Sequence, residues 1–187
     1  MDGNKPLRAD AQRNRDALIA AARKVFESGE ELRFDDFAPL AGVGTGTLYR
    51  HFPTRDALVA AVYQEEVAKL SQRARELGAT LPAAEALAEF LRHMVDYVAD
   101  REGLARTLAA MMVPQSEEIS AGSRDLEAAV TELVAAGVAQ GSIRDDVSAG
   151  AVMMALHGIG GAHDRAEWRA EADDLVTALI DGLRPPR

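Results

Sequence analysis

The sequence contains no cysteine, and this absence removes several kinds of chemistry at once. A chain without thiols forms no disulfide bond, offers no thiolate ligand to a metal ion and cannot sense oxidants through cysteine. The 187 residues nevertheless include 48% hydrophobic residues, which is enough to build a substantial core in one or two compact units.

Long hydrophobic runs are also missing. The longest, residues 151–162, is short and is interrupted by His157, and residues 1–20 carry too many charges for a secretion signal. A membrane-spanning helix needs about 20 consecutive apolar residues, so the sequence predicts a cytoplasmic protein that does not interact with a membrane.

Positive charge is in deficit, since 21 Lys and Arg stand against 30 Asp and Glu and the formal net charge is −9. Residues 1–58 hold nine of each sign, so all of the excess acid lies in residues 59–187. A neutral, locally basic N-terminal part can still bind phosphate, while the acidic remainder disfavours indiscriminate adhesion to nucleic acid.

Residues 41–58 (AGVGTGTLYRHFPTRDAL) have the pattern of a turn followed by a short helix and then a longer one. Gly42 is placed to end a preceding helix in the left-handed conformation. Gly44 can cap a helix over residues 45–52, which Pro53 ends because the residue before a proline is pushed out of helical geometry. Thr54 can cap the next helix.

The helical period places Leu48 and Phe52 on one face, which we expect to be buried, and leaves a polar arc opposite it. Arginine can hold guanine O6 and N7 with two hydrogen bonds, and glycine lets the backbone come close to a base. We therefore expect Arg50 and Thr47 to read bases in a major groove, and the hydroxyl, imidazole and remaining arginine groups to contact phosphates. The residues expected to bind DNA are Thr45, Gly46, Thr47, Tyr49, Arg50, His51 and Arg55.

The first third of the chain resembles a known family. Over residues 14–67, the segments RDALIAAARKVF, DDFAPLAGVGTGTLYRHF and PTRDALVAAV look like the DNA-binding domain of TetR-family transcriptional regulators. The resemblance implies an all-α fold, with a three-helix, helix-turn-helix DNA-binding domain over residues 11–56 and a helical effector-binding and dimerisation domain over residues 57–187. It implies a homodimer that binds a palindromic operator in double-stranded DNA, most often as a repressor, and that responds to a small molecule.

The beginning of the chain lacks periodicity, so we expect residues 1–10 to form a flexible arm and Asp10 to cap the first helix. Gly29 is placed to end that helix. The side chains of this helix that we expect to face the recognition unit are Leu18, Ala21, Ala22, Val25 and Phe26.

The second helix departs from the family pattern. Arg33 stands where a serine or threonine cap is usual, and Pro39 stands inside the element. A proline in a helix interior costs about 3 kcal/mol, so we predict a late-starting or bent helix with Asp36 as its cap.

The rest of the chain is predicted to be helical almost throughout, because it shows no two-residue alternation. The expected helices run from Thr54 to about Leu77, from Pro82, from Gly103 to Pro114, from Ser116 to about Gly141, and over residues 148–163 and 167–183.

The last two helices combine small residues with an apolar stripe, a pattern that would leave a flat apolar surface on a monomer. The family resemblance likewise implies dimerisation through this pair. The residues expected at the interface are Ala151, Ala155, Gly158, Leu175, Val176, Leu179, Ile180 and Leu183.

Dimerisation uses only the last two helices, so we expect the helices over residues 82–141 to form the effector-binding pocket. Methionines suit pockets for varied apolar molecules, and Tyr97 or His157 could supply a polar contact. An ordinary packed core is the alternative for each of these residues. The expected lining is Phe90, Met94, Tyr97, Met111, Met112, Val130, Met154 and His157.

Enzymatic functions find little support in the sequence. The glycines of residues 42–46 follow no strand and precede no Walker lysine, the four histidines lack metal-ligand spacing, and the serines form no nucleophile elbow. We expect neither an enzyme nor a metal or cofactor site. The alternative function is a helical module for protein interaction or small-molecule binding that does not bind DNA.

Overall fold

The computed structural model describes residues 5–101, 104 and 117–186, without the side chains of residues 5–8 and 117–123. All of the regular secondary structure in these ranges is helical, which confirms the expected all-α fold. The elements are α1 (Lys5–Ser28), a 3-10 helix (Phe34–Asp36), α2 (Phe37–Leu40), α3 (Thr45–His51), α4 (Arg55–Thr80), α5 (Ala83–Asp100), α6 (Glu117–Ala139), α7 (Ala149–Gly161) and α8 (Trp168–Gly182). Apart from Leu104, which is buried, the helix predicted between Gly103 and Pro114 lies outside the described residues.

Helices α1 to α3 and the start of α4 enclose a small core, and we call this part of the protein the head. Leu18, Ala22 and Phe26 are buried as expected, while Ala21 is only half-buried. The ring of Phe26 meets that of Phe37 edge-on, with centroids 5.8 Å apart. This core fixes α3 against α1, so the outer surface of α3 has a defined orientation.

Helix α1 begins at Lys5, so the expectations of a cap at Asp10 and an arm over residues 1–10 were wrong for residues 5–10. Pro6 lies in the first turn, where its missing N–H is no loss. Extending a helix that packing already holds adds one hydrogen bond per residue, so no cap at Asp10 is needed. Residues 1–4 lie outside the described ranges.

The second helix starts late, as predicted from the position of Pro39. A 3-10 turn over Phe34–Asp36 precedes the four residues of α2. Asp36 is the N-cap residue of α2, as predicted, but its side chain makes no capping hydrogen bond, because its carboxylate accepts the backbone N–H of Arg33 at 3.2 Å. Gly42 then adopts φ +68°, the left-handed conformation expected of it.

Helices α4 to α8 form the second core, and we call this part the body. A Cβ atom on Gly78 would lie 2.7 Å from Leu133 Cδ2, so glycine lets α4 approach α6 closely. Trp168 Nε1 donates to the Ile159 carbonyl at 2.6 Å and ties α8 to α7. Among the helices that the structure describes, none is long and apolar enough to cross a membrane.

Candidate nucleic-acid interface

Helix α3 is anchored by its inner face. Leu48 is fully buried and Phe52, just after the helix, is 3% exposed, as the helical period predicted. Gly46 and Arg50 are exposed on the opposite side, Thr45 is exposed at the start of the helix, and Thr47 is half-buried. The predicted polar arc is therefore a surface feature on a helix that cannot rotate without exposing Leu48.

Arginines in the head differ from those in the body in their partners. Body arginines form ion pairs, such as Arg75 with Asp125 at 2.7 Å and Arg169 with Asp96 at 2.5 Å. Leaving aside Arg55, whose guanidinium donates to the Leu32 carbonyl, three head arginines form no ion pair with any acidic group in the described part of the chain. These three are Arg15, Arg33 and Arg50. Unpaired guanidinium groups around α3 are available for phosphate oxygens.

Arg15 and Arg33 are not among the DNA-binding residues expected from the sequence. For Arg15 a local signal exists, because no acidic residue stands three or four positions away on α1, whereas Arg13 has Asp10 and Asp16 at that spacing. Arg33 lies in the connection before the 3-10 helix, and helical spacing says nothing about such a position.

Next to α3, Arg15 and His51 line a recess of about 260 Å³ together with Phe52 and Pro53. The guanidinium carbon of Arg15 lies 5.5 Å from the centre of the Phe52 ring. His51 Nε2 is buried without a hydrogen-bond partner among the described residues. Burial, followed by the charges of Arg50 and Arg15, lowers the pKa of His51. The recess therefore carries the positive charge of Arg15 and a His51 Nε2 atom that has no hydrogen-bond partner among the described residues.

Two residues predicted to contact phosphates are held by the protein itself. The Tyr49 hydroxyl donates to Asp35 Oδ1 at 2.7 Å, and this hydrogen bond, with partial burial and the charge of Asp35, raises the pKa of Tyr49. Arg55 Nη1 donates to the Leu32 carbonyl at 3.2 Å. Tyr49 and Arg55 therefore brace α3 and α4 against the segment that precedes α2.

The surface of the last two helices agrees only in part with the predicted dimer interface. Ala151 and Gly158 are exposed, and Leu175 is 49% exposed. The prediction of Val176 and Leu183 at the interface was wrong, because their side chains are buried in the core of their own chain, where α8 packs against α5 and α7. Ala155, Leu179 and Ile180 are half-buried.

The predicted effector residues also separate into groups. Phe90 and Val130 are fully buried in the body core, and Met94 and Tyr97 pack against it. The prediction that Met154 and His157 face the body core was wrong, since both are exposed on the outer face of α7, and Met154 is 75% exposed. Met153, the residue before Met154, is the methionine that is buried in the core. Adjacent residues on a helix point in directions about 100° apart, so one faces the core while the next faces outward. Met111 and Met112 lie outside the described residues.

Two family models match this chain. One, described as "Bacterial regulatory proteins, tetR family", matches residues 18–62, which cover most of the head. The other, described as "Transcriptional regulator SbtR-like, C-terminal domain", matches residues 82–185, more than half of the chain.

The fold is also shared with solved proteins. The TetR transcriptional regulator SCO0520 of Streptomyces coelicolor is 38% identical, with 92% of this chain and 99% of that chain covered and a TM-score of 0.69. A TetR transcription regulatory protein of Mycobacterium vanbaalenii is 34% identical, with 96% and 100% covered and a TM-score of 0.69. FadR of Bacillus subtilis, solved with stearoyl-CoA, is 16% identical over 90% of this chain and 98% of that chain, with a TM-score of 0.72.

A shorter match links the chain to the HTH-type transcriptional regulator SAR0097 of Staphylococcus aureus (strain MRSA252). The two are 35% identical over 63 residues, which are 32% of this chain and 33% of that protein, so the chain spans about a third of that relative's length. Two matching family models and two full-length relatives above 30% identity agree with the geometry of the head. The chain belongs to the TetR family of DNA-binding transcriptional regulators.

Proposed function

We propose that this regulator is a homodimer that represses transcription by binding an inverted-repeat operator and is released from it by a small apolar effector. The observation that carries the DNA-binding part is the anchored helix α3. It presents Arg50 and Thr47 outward, and unpaired Arg15 and Arg33 stand in the same head. Such a regulator acts in the cytoplasm, where the chromosome lies, and it needs no catalytic activity.

Within the head we assign the contacts by their chemistry. Arg50 and Thr47 read base edges, since guanidinium and hydroxyl groups match the donor and acceptor pattern of the major groove. Thr45, His51, Arg15 and Arg33 contact phosphates, which fix the position of the head without carrying sequence information. The sequence-independent contacts then supply much of the affinity and its salt dependence.

The dimer forms through the outer faces of α7 and α8. Met154 and Leu175 are exposed apolar side chains there, and Gly158 has open space where a Cβ would stand. Exposed apolar side chains of this kind favour association, and a two-fold dimer presents two α3 helices to half-sites spaced by about one helical turn or a multiple of it.

The effector is an apolar molecule that enters the body core near Phe90, Met94, Tyr97 and Val130. FadR of Bacillus subtilis has this fold and was solved with stearoyl-CoA, which supports a regulator that responds to a small molecule. The effector releases DNA by favouring a state in which the two heads are spaced wrongly for the operator. Its effect cannot exceed its difference in affinity for the two states.

Selection of duplexes from a random-sequence library, followed by binding to the DNA flanking the protein's own gene, tests this proposal. We expect enrichment of one inverted repeat, binding of the purified dimer to it, and release by an apolar ligand. A helical interaction module that does not bind DNA would enrich no sequence, and that outcome would reject the proposed function.

A further inference from the structure

Asp35, in the 3-10 helix, and Tyr49, in α3, form a side-chain contact. Neither residue is among those to which we assign a DNA contact. Tyr49 is 47% exposed, and its hydroxyl donates to Asp35 Oδ1 at 2.7 Å. Its ring meets the Phe34 ring edge-on, with centroids 5.3 Å apart and planes at 90°. Both the tip and the side of the ring are therefore held by the segment that leads into α2.

The hydrogen bond determines what Tyr49 can offer to DNA. A phenol carries one hydrogen, and carboxylate and phosphate oxygens are both acceptors. While the hydroxyl hydrogen points to Asp35, Tyr49 cannot donate it to a phosphate. A phosphate contact would require breaking a hydrogen bond to a charged acceptor, which is stronger than one between neutral groups.

The charge of Asp35 acts in the same direction. In a helix-turn-helix the first helix crosses the DNA backbone while the second enters the major groove. Asp35 lies in the 3-10 helix that leads into α2, and it touches α3 through Tyr49. A carboxylate at this place repels phosphates. Arg33 lies near enough for its charge to act on the pKa of Tyr49 in the opposite direction to Asp35.

We propose that Asp35 is an affinity-limiting residue of the head, because it keeps the Tyr49 hydroxyl from DNA phosphate and adds a negative charge beside the backbone. The inference rests on the proposed placement of α3 in the major groove. Since phosphates are the same at every site, Asp35 lowers affinity for all sequences alike and leaves base preference to Arg50 and Thr47. This role reverses the expectation that the Tyr49 hydroxyl contacts phosphate.

Two substitutions separate the charge of Asp35 from its hydrogen bond. Asp35→Asn keeps an acceptor for Tyr49 but removes the charge. We expect about three- to tenfold tighter binding both to the duplex that the wild-type protein enriches from a random library and to an unrelated duplex of equal length. The slope of log affinity against log salt should steepen by up to about 0.9. Asp35→Ala also frees the hydroxyl, so it should bind both duplexes more tightly than Asp35→Asn.

The role of the hydroxyl is tested by Tyr49→Phe in two backgrounds. In the wild-type protein we expect a change within about twofold, because the hydroxyl serves Asp35. In the Asp35→Ala protein the same substitution should abolish the extra gain over Asp35→Asn, because only there can the hydroxyl donate to phosphate. Asp164→Asn, in the exposed connection between α7 and α8, changes net charge equally and should leave DNA binding unchanged.

Two results would overturn the inference while leaving the proposed function intact. One is Asp35→Asn with unchanged affinity and salt slope. The other is Tyr49→Phe weakening the wild-type protein as much as it weakens the Asp35→Ala protein. If the wild-type protein enriches no duplex at all, the proposed function fails first and this inference fails with it.

Discussion

The carboxylate of Glu66, in α4, accepts the hydroxyl hydrogen of Tyr97 from α5 at 2.7 Å. Its other oxygen accepts from Lys69 Nζ at 2.6 Å and lies 2.7 Å from Nε of Arg23 on α1. Glu66 is 2% exposed, and Arg101 covers the ring of Tyr97 at 4.7 Å. One buried carboxylate therefore joins the head to the body.

Glu66→Gln should destabilise the protein, because it removes the charge that faces Arg23. Breaking a buried ion pair typically costs about 3 to 5 kcal/mol, and partial exposure of Arg23 reduces the expected loss to about 1 to 3 kcal/mol. Denaturant unfolding at neutral pH measures it. Glu65→Gln is the matched control, since Glu65 also pairs with Arg23 but its side chain is 38% exposed, and its loss should be under about 1 kcal/mol.

The same carboxylate makes stability depend on pH. Burial alone would raise the pKa of Glu66, but hydrogen bonds from Lys69 and Tyr97 and the charges of Lys69 and Arg23 lower it overall. Because the folded-state pKa lies below that of the unfolded chain, the contribution is complete above about pH 5 and is lost as the pH falls through the folded value. Glu66→Gln should flatten the decline of stability in acid, and an unchanged acid profile would contradict this.

Arg50→Ala should weaken operator binding by about 1 to 3 kcal/mol and relax preference at one base pair, because a bidentate contact to a base is lost. Competition binding with duplexes changed at single positions shows which preference disappears. If the substituted protein keeps both the affinity and the preference of the wild type, Arg50 does not read a base.

Arg15→Ala should weaken binding to every duplex by a similar factor and reduce the salt slope by about 0.9, because a phosphate contact carries no sequence information. Arg13→Ala is the matched control two residues away, where the arginine pairs with Asp10 on the same helix. Equal effects of the two substitutions would show that Arg15 contributes only general charge.

His51 should make DNA binding stronger as the pH falls from about 8 to about 6. In the free protein its pKa is lowered by burial and by Arg50 and Arg15, so the imidazole is neutral near pH 7. A phosphate in the adjacent recess would favour the charged form, so binding takes up a proton and acid strengthens it. His51→Gln should remove this dependence, whereas His93→Gln in the body should retain it.

Leu175→Glu should convert the dimer to monomers and weaken operator binding, because it places a charge in the proposed interface. Light scattering gives the oligomeric state. Ala135→Glu, on the exposed face of α6, adds the same charge elsewhere and should remain dimeric. A dimeric Leu175→Glu protein would show that the interface lies on another surface.

Local sequence determined most of the head, because its elements are set by short-range rules. Gly42 at φ +68°, the Thr54 side chain accepting the Ala57 N–H at 3.1 Å, and the late second helix at Pro39 each follow from the conformations those residue types allow. The burial of Leu48 and Phe52 follows from the helical period.

Tertiary packing decided which apolar faces remain exposed and which polar groups pair. Val176 and Met154 both lie on apolar helices, yet one is buried within the chain and the other is 75% exposed, because their surroundings depend on how α7 and α8 pack against α5 and α6. The Asp35–Tyr49 contact spans 14 positions and Glu66–Tyr97 spans 31. Such pairs have no local sequence pattern, since only the arrangement of helices brings their side chains within hydrogen-bonding distance.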